Sequence, residues 1–134
     1  MSLHTQLERL ASAFWAHLRA HPLPDPCMVS LRPADGEVDV QVAATAAVMH
    51  LSELLVWAYT LESVTASWWR TDHGSLHLTV EGRAQGVRFH VYGGIGFHHC
   101  AGLVPLAVDA SEGVSIDELY TLRDLLAQET EVAA

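Results

Sequence analysis

The chain has 134 residues, half of them apolar, which is material for one domain with a proper core. No uninterrupted apolar run approaches the ~20 residues that a membrane-spanning helix requires. Seven arginines and no lysine stand against sixteen acids, and a net charge of −9 repels phosphate backbones, so direct nucleic-acid binding is not expected.

Leu3, Leu7, Leu10, Phe14 and Leu18 recur at helical spacing, with Ala11 in the same stripe, and predict an amphipathic first helix capped by Ser2. It must stop near His21, because Pro22 restricts the residue before it. Trp15 falls on the flank of the stripe and is read as a core-edge residue. His21 to Pro26 is a stiff, extended connector whose prolines join two packed elements and do not form a recognition motif. The charged start carries no signal-peptide layout, and Cys27 and Cys100 suggest no disulfide framework. Reduced thiols and a cytoplasmic location are the expectation.

Cys27, Val29 and Leu31, then Val38, Val40 and Val42, alternate with polar residues and predict a hairpin turning at Pro33-Ala34-Asp35-Gly36. That loop pairs Leu31 with Val38 and Val29 with Val40. Glu37, Asp39 and Gln41 point the other way and are read as edge protection, not as acid-base machinery. A second helix follows, capped near Thr45 and burying Ala47, Val48, Leu51, Leu54, Leu55 and Ala58. Its opposite face should carry His50, Glu53, Trp57 and Thr60. His50-Leu51-Ser52-Glu53 lacks the spacing of a zinc-protease motif and is read as a surface pair.

From Ser63 to Gly94 three alternating segments form a β-meander. A three-residue loop at Asp72-His73-Gly74 pairs Trp68 with Leu78 and Ala66 with Val80. A four-residue loop at Gly82-Arg83-Ala84-Gln85 pairs Val80 with Val87, Leu78 with Phe89 and Leu76 with Val91. On the other face these registers set Trp69 opposite His77, His77 opposite His90 and Thr79 opposite Arg88. Trp69, His77, His90, Tyr92 and Arg88 are therefore the candidate binding surface, since aromatic rings and arginine supply most contact hot spots.

Gly93-Gly94-Ile95-Gly96 departs from the dinucleotide fingerprint, with His99 at the third glycine position, and is read as a flexible exit from the sheet. The run Phe97-His98-His99-Cys100 is the most suggestive for metal chemistry. His98 and Cys100 share a side on extended backbone and would need further ligands from His73, His77 or His90 to complete a site, of which His90 and His77 are the preferred candidates. No CxxC pair and no deaminase pattern supports it, and Cys100 as a nucleophile has no local motif. No cofactor is predicted.

Leu103, Val104, Leu106 and Val108, interrupted by Pro105, form a packed loop or an edge strand. Ser115 and Glu118 then make a capping box, with Val114 and Leu119 at staple positions, opening a last helix that buries Ile116, Leu119, Leu122 and Leu126. Residues 129–134 are expected to fray.

These elements predict a single α+β domain over residues 1–134, in the order αββαβββα. It is a two-layer sandwich of about five mainly antiparallel strands, a ββ hairpin plus a βββ meander, with three helices on one face. The expected function is a non-enzymatic protein-interaction or regulatory module that binds a partner or itself, as a homodimer. The alternative is a small-molecule or metal-binding domain with His and Cys ligands. No nucleophile, base and orienter constellation is legible. Nine histidines, all protonated, would cancel the −9, so association should rise at low pH.

Phe14-Trp15-Ala16-His17-Leu18-Arg19, the run Val64 to Thr71, and Val91-Tyr92-Gly93-Gly94 resemble short uncharacterised α+β proteins of GC-rich actinobacteria. The absence of lysine and asparagine, whose codons are AT-rich, agrees with such a source. That resemblance implies no activity. The small acidic build is also similar in kind to type III secretion chaperones, which bind other proteins, although their strands fall three before the central helix and two after.

Overall fold

A computed structural model describes residues 2–133, with side chains described as far as 129. Helix α1 spans Leu3–Ala20, and Ser2 caps it by accepting the Thr5 N–H. It buries Leu10, Ala13, Phe14 and His17, and ends where Pro22 was expected to end it. Trp15 stays 57% exposed, touching only the edge of Phe14 among the rings.

Strands β1 (Met28–Arg32) and β2 (Glu37–Gln41) form the predicted hairpin, with Leu31 opposite Val38 and Val29 opposite Val40. Helix α2 (Ala47–Tyr59) leads to β3 (Glu62–Arg70), β4 (Ser75–Ala84) and β5 (Val87–Gly96). A short 3₁₀ turn at Phe97–His99, strand β6 (Ser111–Val114) and helix α3 (Ile116–Ala133) complete the order. The sheet runs β1-β2-β5-β4-β3-β6. Only the β2–β5 seam is parallel; every other neighbour is antiparallel. This is the expected two-layer α+β arrangement, with three packed helices and a mixed sheet of six strands.

The first meander turn has the predicted register, Trp68 opposite Leu78 and Trp69 opposite His77. The second does not. The chain reverses at Gln85-Gly86, with φ of 54° and 77°, a two-residue turn whose twist matches the flanking strands. Gly82, Arg83 and Ala84 therefore stay in the ladder, and Val80 meets Val91, Leu78 meets Gly93 and Leu76 meets Ile95. Partners shift by four residues. Because four is even, no side chain changes face.

Other expectations are resolved or corrected. The sixth strand is Ser111–Val114, which pairs with β3, while Leu103 to Val108 is a packed loop with Val104 and Leu106 buried. Arg70 holds that loop, its Nη1 donating to the Leu106 carbonyl at 2.9 Å and its guanidinium lying 3.9 Å above the Phe97 ring. Strand β2 is interior, so its acids protect no edge.

Helix α2 is buried on more than one side: His50 and Trp57, expected outward, are 3% and 1% exposed. The helix is wedged between the sheet, α3 and the end of α1, where the His17 ring lies 6.1 Å from Trp57. Thr45 does not cap it. The N-cap is Ala46, which makes no side-chain cap bond, and His50 and Glu53 reach back to Ala44 instead.

Helix α3 opens with the predicted capping box: the Glu118 N–H donates to Ser115 Oγ at 3.1 Å and the Ser115 N–H to Glu118 Oε2 at 3.4 Å. Its backbone is helical through Ala133. Ala134 and the side chains from 130 onward lie outside the described residues.

Candidate functional site

The helices cover the apolar face of the sheet, and the other face is open. There the parallel seam sets Glu37 against Arg88 and Asp39 against His90. Alternation along both strands then places Glu37, Asp39, Arg88 and His90 on one side. Glu37, Asp39 and His90 each bring one ligand atom within 4.8 Å of the others, and they are the one such group among the described residues. The carboxylate side chains are each 14% exposed and the imidazole 23%. They are drawn down into the sheet face but still reached by solvent.

Each carboxylate is oriented from outside. Arg32 Nη1 lies 3.5 Å from Asp39 Oδ2, while Asp39 Oδ1 stands 3.3 Å from His90 Nδ1. Arg88 Nη2 lies 3.8 Å from Glu37 Oε2. Asp35, at the hairpin turn, steadies both arginines: its carboxylate pairs with Arg32 at 2.9 Å and its carbonyl accepts from Arg88 at 3.4 Å. One oxygen of Asp39 thus faces an arginine and the other faces the imidazole, the division of labour that fixes a metal-ligating carboxylate from behind.

A row of rings leads away from this cluster. His90 stacks on Tyr92 at 5.1 Å and 16°, Tyr92 lies 5.9 Å from His77, and His77 meets Trp69 edge-on at 6.0 Å. The candidate surface Trp69, His77, Tyr92, His90 is therefore assembled, with Arg88 beside its acid end, but in a different order from the predicted one. His77 faces Gly94 and His90 faces Glu81, because of the even shift at the second turn. Tyr92 fills the space between the two imidazoles. Burial lowers the His77 pKa, and the charges of His90 and then His50 lower it further.

The metal ligands expected from the His98 run lie elsewhere. No three of His98, Cys100, His90 and His77 bring ligand atoms within 4.8 Å of one another. His98 packs on His99 with ring centroids 4.0 Å apart, and Cys100 is fully buried with Sγ near the Gly96 carbonyl. Burial, reinforced by the charge of Glu129, pushes its thiol up to about 11, so the thiolate needed by a nucleophile or a metal is scarce at neutral pH. Of the predicted set, only His90 belongs to the three-residue cluster; Glu37 and Asp39 were visible in the sequence as alternating acids but not as its partners.

Two more histidines are core residues. His17 Nε2 donates to Thr60 Oγ1 at 2.8 Å, since the Thr60 hydroxyl is itself committed to the Trp57 carbonyl. His50 Nδ1 donates to the Ala44 carbonyl at 2.6 Å. Their other nitrogens, His17 Nδ1 and His50 Nε2, have no hydrogen-bond partner among the described residues. The His50 ring lies over Gly93, where any Cβ would collide with its Cε1 and Nε2.

Comparison with protein-family models, curated proteins and solved structures finds no match, so function is read from the geometry of this chain.

Proposed function

We propose that the protein is a metal-binding domain whose open sheet face holds a divalent first-row cation between Glu37, Asp39 and His90. The supporting observation is the convergence of their three ligand atoms within 4.8 Å, on adjacent hydrogen-bonded strands. Two carboxylates and one imidazole suit zinc or manganese better than they suit a soft thiophilic ion. Three protein ligands on an accessible face leave coordination positions for water or a small molecule. Without metal, Arg32 and Arg88 offset the two negative charges at long range. The free thiols of Cys27 and Cys100 support a reducing compartment, the cytoplasm, and among the described residues no helix is long and apolar enough to cross a membrane.

Isothermal titration of zinc and manganese into chelator-treated, tag-free protein tests this reading. Near-stoichiometric binding is expected, weakened at least about tenfold by Asp39→Asn, Glu37→Gln or His90→Ala. Uptake below roughly a tenth of an equivalent, or uptake that ignores all three changes, overturns it.

A second reading is supported by Trp69, 42% exposed at the far end of the ring row on a face that no helix covers. We propose that this row is a protein-contact surface on which the chain associates with a partner or with itself. Sedimentation of the wild type as a dimer that Trp69→Ala converts to a folded monomer is the expected result. A monomeric wild type would remove self-association from this reading.

A further inference from the structure

On the helical layer, opposite the open sheet face, a groove of about 280 Å³ runs between α2, α3 and the connector after α1. Its apolar surface comes from Pro22, Leu55 and Val56, and Tyr59 and Tyr120 also line it. Tyr59 is 87% exposed and Val56 42%, a contiguous apolar surface and not a scattered residue. The groove is also set apart by charge. In a chain of sixteen acids no carboxylate lines it, whereas the other two described grooves carry Glu37 and Glu81, or Glu112 and Glu118. Its ionisable lining, apart from the tyrosines, is His21 and Arg123.

Arg123 is positioned for an incoming anion. Its guanidinium lies 5.1 Å over the Tyr120 ring, and its Nε and Nη2 contact Asp124 Oδ1 at 3.1 and 2.9 Å. Nη1 has no partner among the described residues. The Asp124 side chain is 58% exposed, so that ion pair is solvent-screened and weak. His21 and Thr60 also line the groove, and the buried His17 ring braces both of them, 4.7 Å from His21 and hydrogen-bonded to Thr60.

We propose that this groove binds a small amphipathic carboxylate, its apolar end between Tyr59 and Tyr120 on Leu55 and Val56, and its carboxylate at Arg123 and His21. Apolar walls with a few convergent donors are the usual build of a small-molecule site. The Arg123 cation and the His21 imidazole, opposed only by the solvent-exposed Asp124 carboxylate, favour an anion over a cation or a neutral analogue.

The test is titration of the full chain with phenylacetate, phenethyl alcohol and phenethylamine, followed by backbone amide NMR. Phenylacetate should bind saturably, with shifts centred on Ser52, Tyr59, Tyr120 and Arg123, and at least about tenfold more tightly than phenethylamine. Arg123→Gln should remove most of that preference while leaving the amide dispersion intact. Tyr59→Ala should weaken all three probes alike. The proposal is overturned if the amine binds as well as the acid, if the shifts map to the open sheet face, or if no saturation occurs by roughly 10 mM.

Discussion

Strands β2, β4 and β5 present one face to the helices and one to solvent, and the two faces are held by different physics. On the covered side Val38, Val40, Leu76, Leu78, Val80, Phe89 and Val91 are all 0% exposed, so shape and volume decide what is tolerated. On the open side Glu37, Asp39, His77, His90 and Tyr92 keep partial access to water and are placed by pairwise contacts. Stability therefore belongs to the first face, and the second is free to carry chemistry. The two polar rings on the helical side illustrate the contrast, since His17 and His50 each satisfy one nitrogen and strand the other.

That contrast breaks most visibly at Phe89. Phe89→Ala should cost about 3–5 kcal/mol in chemical denaturation, by removing a fully buried ring that also packs 5.1 Å from His17. Gly93→Ala adds a single methyl on the same side and should cost about 1–3 kcal/mol, because its Cβ meets the His50 imidazole. Combining it with His50→Ala should cost less than the sum of the two changes, and strict additivity would show that the ring is not what forbids the methyl.

Acid should erode stability in a direction that the buried imidazoles fix. The pKa of His17 is lowered by burial and then by His21, and that of His77 by burial, then His90 and His50, from an ordinary 6.5. Depressed folded values mean that the unfolded chain takes up protons first as the pH drops through 6.5. The stability conferred by the neutral rings is complete above that point and is lost below it, until the folded protein also protonates. Melting temperatures measured from about pH 8 to about pH 5 should fall, and His77→Gln should flatten part of the slope. The smallest effect is expected on the open face, where Asp39→Asn should change stability by no more than about 1 kcal/mol while weakening the proposed metal uptake at least about tenfold. A large loss of stability without loss of metal would invert the comparison.

Much of this was legible because it is local. The Pro33 to Gly36 and Asp72 to Gly74 turns each had one reading that matched the apolar sides, and the Ser115 capping box declared its helix. The second meander turn was ambiguous because Gly82 and Gly86 both offer a place to reverse, and both choices keep the faces aligned. Side-chain alternation cannot separate two registers that differ by an even number; the paired positive φ at Gln85 and Gly86 can. His50 and Trp57 were misplaced because a single-stripe pattern assumes one buried side, and α2 has neighbours on several. The acid cluster was hidden for another reason. Asp39 and His90 are 51 positions apart and meet across a parallel seam, which no short-range signal announces.

That separation sets the order of events during synthesis. Glu37 and Asp39 leave the ribosome well before His90, and the seam joining them has to close around the whole of α2, β3 and β4. A nascent chain halted before β5 owns both acids but not the imidazole, so the three-residue cluster proposed to hold a cation exists only in the completed sheet.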